Sequence, residues 1–178
     1  MSQSTQPIAK MAIPALIVVA LLFGLFFFSL QEDKPLVPSM RENKPLPPFS
    51  SKQLFGQEVI SSEELKGDYY LLNFWGSWCP TCYVEHPYLM TLKDQGVRII
   101  GVNYRDTEDK AKSFLERMGD PYEYSFFDPK GKIAIEMGIT AAPETFLISP
   151  DGKVLFHRIG EMNSQVFEAA FLPLMKSQ

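Results

Sequence analysis

Two cysteines, Cys79 and Cys82, are the only ones in the chain, and two residues separate them. A thiolate at such a site can attack a disulfide, form a mixed disulfide with it and then be displaced by the neighbouring thiol. A disulfide scaffold would need cysteines that are distant in sequence. A structural zinc site would need further ligands at finger spacing, and only His86 and His157 are available. The pair therefore indicates a reactive dithiol.

The residues around the pair place it between a buried strand and the start of a helix. Residues 69–75 are a nearly continuous apolar and aromatic run, which is typical of a central strand buried on both faces. Pro80 suits the first turn of a helix over residues 80–94. Cys79 then lies at the helix N-terminus, where unpaired N–H groups favour a thiolate. Because Cys82 lies one turn deeper, we expect it to be more shielded and to resolve the mixed disulfide that Cys79 forms.

Strand and helix patterns alternate through the rest of the chain. The further predicted elements are strands at 97–103, 124–127, 145–148 and 154–158 and helices at 107–118 and 163–175. This order predicts an α/β sandwich whose first strands are parallel, with right-handed crossovers, and whose final hairpin adds antiparallel strands at one edge. The dithiol then lies at the carboxyl end of a central strand, where open α/β sheets usually place their chemistry.

A second motif precedes the predicted hairpin, where residues 138–146 read GITAAPETF. Pro143 stands just before a buried strand, in which a proline cannot be an ordinary ladder member, and the cis form costs little free energy only before proline. Together with the Trp-Cys-x-x-Cys motif, this pattern resembles the thioredoxin superfamily. The resemblance implies that Pro143 is cis and packs against the dithiol, and that the backbone of Ala142 pairs with an incoming peptide.

A closer resemblance is to the CcmG/DsbE family, the thiol:disulfide interchange proteins of cytochrome c maturation. Residues 78–87 contain Trp-Cys-Pro-Thr-Cys and then Glu-His-Pro, and residues 101–104 read Gly-Val-Asn-Tyr. Residues 138–146 match the family's Gly-Val-x-x-x-Pro-Glu-Thr-Phe, with Ile139 in place of valine. The resemblance implies a thioredoxin-like α/β fold, with a central mixed sheet flanked by helices and preceded by one transmembrane helix.

The same resemblance implies an activity and a set of partners. It implies a protein-disulfide reductase that acts on apocytochrome c at the heme-attachment motif, where reduced cysteines are needed for heme ligation. A membrane reductase of the DsbD or CcdA type would recharge the dithiol, and the partners would include the cytochrome c maturation machinery. No cofactor is expected beyond the redox-active disulfide between Cys79 and Cys82.

One departure from thioredoxin itself concerns the proton of the second thiol. Thioredoxin has a buried Asp two residues before the Trp that ends its central strand, and Asn73 occupies that place here. Because asparagine cannot take a proton, we hypothesise that Glu85 or Glu144 does so for Cys82. A carboxylate in that position would also oppose thiolate formation. The alternative for Glu85 is a solvated carboxylate on the helix face.

We also assign expectations to three further side chains. Trp78 either gates access to Cys79 or contacts clients, or else it is a packing residue. His86 is expected to be a partly exposed helix residue and His157 a structural one.

Two other functions remain open from the sequence. One is a broader extracytoplasmic reductase of the TlpA or ResA kind, and the other is a chaperone that holds apocytochrome peptides in the same groove. Peroxidase activity is disfavoured because the peroxiredoxin Pro-x-x-x-Thr-x-x-Cys pattern is missing.

The N-terminal part of the chain has the composition of a membrane anchor. Residues 11–30 are apolar and uncharged, which approaches the ~20 residues that cross a ~30 Å hydrocarbon core. We find no small-residue cleavage site after them, so we expect an uncleaved anchor, with a removed signal peptide or a buried helix as alternatives. Lys10 precedes the span, and Glu32 and Asp33 follow it. This charge bias predicts a cytoplasmic tail at 1–10 and a domain on the other side of the membrane. In a Gram-negative bacterium the anchor would lie in the inner membrane and the domain would face the periplasm.

The rest of the chain is expected to be a linker and one globular domain. Residues 31–48 contain five prolines, which predict an extended, semi-rigid spacer or a plain disordered linker. Residues 49–178 are predicted to form the thioredoxin-like domain, and the 46% hydrophobic content of the chain suits a globular core. The net charge is -4 and no cluster of Lys or Arg is present, so we expect no nucleic-acid partner.

Overall fold

The computed structural model describes residues 6–31 and 41–176, and these belong to two compact units. Within the first unit the described residues form one helix, α1 (Gln6–Gln31). No helix among the described residues meets the length and apolarity that crossing a bilayer requires. The single-pass anchor over residues 11–30 therefore stays a prediction. Part of the predicted tail and much of the predicted linker lie outside the described residues.

The second unit is built from seven strands and five helices within residues 41–176. The strands are β1 (Ser50–Lys52), β2 (Val59–Ser61), β3 (Tyr70–Trp75), β4 (Ile99–Tyr104), β5 (Tyr124–Asp128), β6 (Glu144–Ile148) and β7 (Val154–Ile159). The helices are α2 (Pro80–Asp94), α3 (Glu108–Met118), α4 (Lys132–Met137), α5 (Ser164–Val166) and α6 (Leu172–Lys176). A 3₁₀ turn covers Ser62–Leu65, and a π-helical stretch covers Phe167–Phe171.

A five-stranded mixed sheet forms the centre of this unit, in the order β5-β4-β3-β6-β7. Strands β3, β4 and β5 are parallel, whereas β6 pairs antiparallel with β3 and with β7. This arrangement confirms the predicted α/β fold with its parallel strands and edge hairpin. It also places the end of β3, where the dithiol follows, in the middle of the sheet.

The sheet separates two apolar clusters, because side chains along a strand alternate between its faces. We call the face that carries α2 and the two cysteines the dithiol face. Its cluster includes Leu71, Trp75, Leu89, Phe114, Leu147 and Phe171. The opposite face packs β3 and β6 against α4, and its cluster includes Leu72, Phe74, Phe146, Ile148, Ile133 and Met137.

Residues before the predicted boundary at residue 49 also pack on the domain. The N–H of Asn43 donates to the carbonyl of Val154 (2.7 Å), and the N–H of Leu46 donates to the carbonyl of Gly152 (2.8 Å). Leu46 is buried in the opposite-face cluster. The proline content suggested a spacer, but backbone pairing with the β6–β7 hairpin holds these residues on the domain.

Three features of the fold were not predicted. Two of them are the short antiparallel pair β1–β2 and the helix α4. Strands β1 and β2 span three residues each and α4 spans six, so none of them is long enough to show a periodic pattern in the sequence. The predicted final helix is interrupted by its π-helical stretch, although Asn163 caps its start by accepting from the N–H of Val166 (3.0 Å).

Candidate active site

The dithiol lies at the N-terminus of α2. Cys79 is the residue before the first helical position, and its Sγ accepts a hydrogen bond from the N–H of Cys82 (3.1 Å). Pro80 follows, at a position where its missing N–H leaves nothing unpaired. The two cysteines are joined as a disulfide, with their Cα atoms 5.3 Å apart. The sulfur of Cys79 therefore occupies the place where N–H groups of the helix start can stabilise a negative charge.

The expected difference in shielding between the two cysteines is wrong for this disulfide form. Each of Cys79 and Cys82 exposes 2% of its surface. Both belong to the dithiol-face cluster, and the half-buried Ala142 packs against that cluster. Because the disulfide bond joins the two sulfurs, the same surrounding residues shield both of them from solvent. The distinction between the cysteines therefore depends on their positions along the helix.

Trp78 forms the exposed rim of the site. Its indole N–H donates to the carbonyl of Tyr104 (3.2 Å), while 48% of its surface stays exposed. Gly76 lies under the ring, and a Cβ there would come within 2.4 Å of the indole nitrogen. A glycine is thus required for the ring to fold back in this way. The ring also packs edge-on against Tyr104, so Trp78 has a packing role here, and its contact with a client stays a prediction.

Asp106 fixes this rim and was not identified from the sequence. Its carboxylate accepts from the N–H (2.6 Å) and hydroxyl (2.9 Å) of Ser77, the N–H of Thr107 (2.8 Å) and the side-chain amide of Asn103 (3.0 Å). These bonds tie the loop after β3 to the loop after β4. Asp106 follows the carboxyl end of the strand next to the dithiol strand, and that position was the available signal.

Asn73 connects the sheet to α2 through a buried polar network. Its side-chain amide donates to Glu85 Oε1 (3.0 Å) and to the hydroxyl of Thr145 (2.9 Å). Its carbonyl oxygen accepts from the hydroxyl of Tyr122 (2.9 Å). The second oxygen of Glu85 accepts from the N–H of Met162 (2.8 Å). Nothing in the sequence pattern indicates that Tyr122 and Met162 belong to this network.

Glu85 is a buried carboxyl on the same helix face as Cys82. Residues three apart on a helix are neighbours on its surface, and Glu85 exposes only 1% of its area. The alternative of a solvated helix-face carboxylate is therefore wrong. Burial raises the pKa of Glu85 to about 7, against the lowering effect of the hydrogen bonds from Met162 and Asn73. Such a group can hold or release a proton near neutral pH.

Glu144 lies on the other side of the sheet. It pairs in register with Phe74, while its neighbour Thr145 pairs with Asn73 on the dithiol face. The hypothesis that Glu144 takes the proton of Cys82 is therefore corrected, because alternation along β6 turns its side chain away from α2.

The carboxylate of Glu144 is saturated with hydrogen bonds. One oxygen accepts from the N–H (2.8 Å) and hydroxyl (2.9 Å) of Thr140 and from the N–H of Ala141 (2.8 Å). The other accepts from His157 Nε2 (2.8 Å). Burial by itself would raise the pKa of Glu144, but the bonds from His157, Ala141 and Thr140 together hold it below its usual value.

The loop before β6 carries the second sequence motif. The Ala142–Pro143 peptide bond is cis, as the resemblance implied. Pro143 is buried, and its carbonyl accepts from the N–H of Gly160 (2.9 Å). Within the described residues, no protein group is hydrogen-bonded to the backbone of Ala142. The pairing of Ala142 with an incoming peptide, which the resemblance implied, stays a prediction.

The two histidines are both structural in their contacts. His86 was expected to be partly exposed, but it is buried, with Nε2 2.9 Å from the carbonyl of Gly119. Its ring also packs edge-on against Phe114, and burial lowers the pKa of His86. His157 stacks on Phe146, with ring centroids 3.9 Å apart. Within the part of the chain that the structure describes, no group of three acidic, Cys or His side chains is placed to hold a metal ion.

Comparison with known proteins agrees with this site. The sequence model of the Redoxin family matches residues 41–170. The chain is 38% identical to the thiol:disulfide interchange protein DsbE of Vibrio cholerae, over 89% of this chain and 90% of that one. It is 39% identical to the DsbE protein of Escherichia coli K12, over 89% and 86% of the two chains. The chain belongs to the DsbE family of thiol:disulfide interchange proteins.

A solved structure supports the DsbE assignment at the level of the fold. The secreted thiol-disulfide isomerase of Corynebacterium glutamicum superposes with a TM-score of 0.66 and 25% identity, over 82% of this chain and 94% of that one. The DsbE-family chain is therefore a protein thiol:disulfide oxidoreductase with a thioredoxin-like fold. Its dithiol, its cis-proline loop and its buried Glu85 lie around the end of one central strand.

Proposed function

We propose that this protein reduces the disulfide of apocytochrome c at its heme-attachment motif during cytochrome c biogenesis. The proposal is supported by DsbE-family membership and by the Glu-His-Pro and Pro-Glu-Thr-Phe motifs quoted above. The observation that carries the chemistry is the position of Cys79, whose sulfur caps α2 and accepts the N–H of Cys82. A reduced Cys79 in that position is ready to attack as a thiolate.

In the first step the client becomes joined to the enzyme through a mixed disulfide. The thiolate of Cys79 attacks one sulfur of the client disulfide, a new S–S bond forms between the two chains, and the other client sulfur leaves as a thiolate. Trp78 at the rim and the free backbone groups of Ala142 are the parts of this chain that contact the client. An extended segment pairing with Ala142 is a short form of strand addition.

The second step releases the reduced client. Cys82 loses its proton to Glu85, and its thiolate attacks Cys79, so that the Cys79–Cys82 bond forms, the bond between Cys79 and the client breaks, and the second client sulfur leaves as a thiolate. Both client thiolates then take up protons from solvent. The client gains two electrons and the dithiol loses two. Glu85 suits this part because it is buried on the same helix face and has a pKa of about 7. Asn73 and the backbone of Met162 hold the carboxylate of Glu85 in place, and Thr145 in turn holds the side chain of Asn73.

The location and the source of electrons form the last part of the proposal. Residues 11–30 would anchor the chain in the bacterial inner membrane, with the dithiol domain in the periplasm, because the span is uncharged and Lys10 precedes it. A membrane reductase of the DsbD or CcdA type would return two electrons to the disulfide. The cytochrome c maturation machinery would then receive the reduced apocytochrome.

A trapping experiment tests the client. The Cys82→Ser variant of the full chain keeps the attacking thiol and lacks the resolving one, so its mixed disulfide should persist in cells that make cytochrome c. Mass spectrometry of the adducts should find apocytochrome c joined through its heme-attachment cysteines. The Cys79→Ser variant is the matched control and should trap nothing. Adducts with many unrelated periplasmic proteins, without apocytochrome c, would favour the broader TlpA- or ResA-like reductase.

The holding function is separated by the double variant. If Cys79→Ser with Cys82→Ser supports cytochrome c assembly as the wild type does, the protein acts by binding alone and the reductase proposal is wrong. We expect assembly to be lost in the double variant, and external thiol reductant to restore it.

A further inference from the structure

The side chain of Glu144 accepts hydrogen bonds from the loop that precedes the cis proline. Residues 138–143 connect α4 to β6, and Thr140 and Ala141 are both exposed. Their backbone N–H groups have no partner in the sheet, and both donate to a single oxygen of Glu144, at 2.8 Å each. The hydroxyl of Thr140 donates to the same oxygen (2.9 Å). Three donors of the loop therefore converge on one buried atom.

The other oxygen of this carboxylate connects the loop to the last strand. His157 Nε2 lies 2.8 Å from it, and an ionised carboxylate can only accept, so that nitrogen carries the hydrogen. The ring of His157 is fixed in turn by stacking on Phe146. Glu144 exposes none of its surface. The loop is thus attached to rigid elements of the opposite face through a side chain that solvent does not reach.

This attachment lies next to the backbone groups that the client would use. Ala142 follows directly after the two residues held by Glu144, and its own N–H and carbonyl have no protein hydrogen bond within the described residues. If the preceding N–H groups turned toward solvent, the direction of the Ala142 peptide groups would change with them. The chemistry itself lies across the sheet, since Cys82 and Glu85 face the other side.

We propose that Glu144, together with His157, is a positioning residue that fixes the cis-proline loop so that Ala142 can pair with an extended polypeptide client. It acts through the loop and touches neither the sulfurs nor the client. This inference rests on the proposed reduction of polypeptide disulfides. It assigns to Glu144 a part in client binding in place of the proton transfer considered from the sequence.

The test compares a polypeptide disulfide with a small one. The probes are a disulfide-bonded peptide that contains a Cys-x-x-Cys-His segment and 5,5′-dithiobis(2-nitrobenzoate), which has no peptide group to pair with Ala142. The variants of the full chain are Glu144→Leu, which removes every acceptor at similar volume, and Glu144→Gln, which keeps one acceptor oxygen. Glu136→Gln, at an exposed position on α4, is the matched control.

The inference predicts a split between binding and turnover. For the peptide, Glu144→Leu should raise KM about tenfold with kcat within about twofold, because the lost interactions position the client and not the reacting atoms. Glu144→Gln should recover part of the loss, and Glu136→Gln should behave as wild type. The ratio of kcat/KM for the peptide to kcat/KM for the small disulfide should fall about tenfold in Glu144→Leu.

Other outcomes overturn the inference. An unchanged KM for the peptide, or an equal fall of the peptide and small-disulfide rates, would mean that Glu144 does not act through client binding. If Glu144→Leu does not fold, Glu144→Gln decides, with amide hydrogen exchange as a second readout. The amides of Thr140 and Ala141 should exchange faster in that variant, and unchanged protection together with unchanged KM would contradict the inference. Failure of the wild type to reduce the peptide would instead contradict the proposed function.

Discussion

Two buried glutamates lie on opposite faces of the same sheet, and they are held in different ways. Glu85 projects from α2 on the dithiol face and accepts two hydrogen bonds, from Asn73 and from the backbone of Met162. Glu144 projects from β6 on the opposite face and accepts four, three from the loop and one from His157. Burial favours the neutral form of both carboxyl groups. At Glu85 burial prevails and the pKa is about 7, whereas at Glu144 the hydrogen-bond donors outweigh burial and hold the pKa below its usual value.

This contrast teaches how one sheet can carry two carboxyl groups with separate tasks. A carboxylate with few donors in an apolar site shifts toward its neutral form, and it can then exchange a proton near neutral pH. A carboxylate with four donors stays charged and acts as a fixed acceptor. The number of N–H and O–H groups within reach therefore separates a proton carrier from a structural clamp.

The largest expected effect is on the pH dependence of stability. The pKa of Glu85 is about 7 in the folded chain, against 4.5 as its reference value. Between these values the folded state holds a proton that the unfolded state has lost, so stability falls as pH rises. The wild type should lose about 3 kcal/mol of unfolding free energy from pH 4.5 to 7 on account of this group.

Chemical denaturation at a series of pH values measures this loss. Glu85→Gln should abolish that part of the slope, because glutamine does not titrate. Glu116→Gln, at an exposed position on α3, should keep it. An identical pH slope in the Glu85→Gln variant and the wild type would show that Glu85 is already ionised in the folded state, and the contrast with Glu144 would fail.

The second prediction concerns the release of the client. If Glu85 takes the proton of Cys82, Glu85→Gln should slow the resolution of the mixed disulfide by about 100-fold above pH 7, which is the lower range for loss of a general base. In the wild type the rate should rise as pH passes 7, because Glu85 becomes ionised there. Acid quenching and mass spectrometry of a single turnover would follow the mixed disulfide. A comparable loss in Glu144→Gln would mean that the two carboxyl groups are not separated by face.

The third prediction tests the polar network on the dithiol face with a pair of tyrosines. Tyr122→Phe leaves the buried oxygen of Asn73 without its donor and should cost about 1.5 kcal/mol of unfolding free energy. Tyr70→Phe is the matched control on the opposite face, because the buried Tyr70 hydroxyl has no hydrogen-bond partner among the described residues. Its loss should change stability by less than about 0.5 kcal/mol. Equal losses in denaturant titration would remove the distinction between the two hydroxyls.

Much of the fold could be predicted because its signals are local. The strand over 70–75 is apolar except for Asn73, and the helix over 80–94 begins at a proline after a capping residue, so both lie close to the predicted bounds. Helix α4 has no such signal. Its start is held by Asp128, whose carboxylate accepts from the N–H groups of Lys132 (2.7 Å) and Ala134 (3.1 Å). That contact forms only once β5 is in the sheet.

The candidate site was predictable to the same extent. The dithiol and the cis proline follow from motifs, and the structure contains the cis bond. The two glutamates could not be told apart, because the face that Glu144 takes depends on its register with Phe74 across two strands. Tyr122 contacts Asn73, and Met162 contacts Glu85, each from a distant part of the chain. Neither spacing nor composition gives such contacts.

The smallest expected effect is the acid response of Glu144. Its pKa lies below the reference value of 4.5 because of its donors, so the unfolded state takes up a proton before the folded state does. Stability should therefore rise with pH below 4.5 and be lost as pH falls through the folded value. His157 and Tyr104 are the titratable groups that interact with Glu144, and neither is altered in the test variant.

Denaturation between pH 3 and 7 would compare the wild type with Glu144→Gln. The advantage of the wild type should shrink on acidification below pH 4.5 and stay level above it, which is the reverse of the slope expected from Glu85. If the advantage instead shrank as the pH rose from 4.5 to 7, Glu144 would share the raised pKa of Glu85. The four donors would then not be enough to hold it charged, and the clamp on the client-binding loop would lose its physical basis.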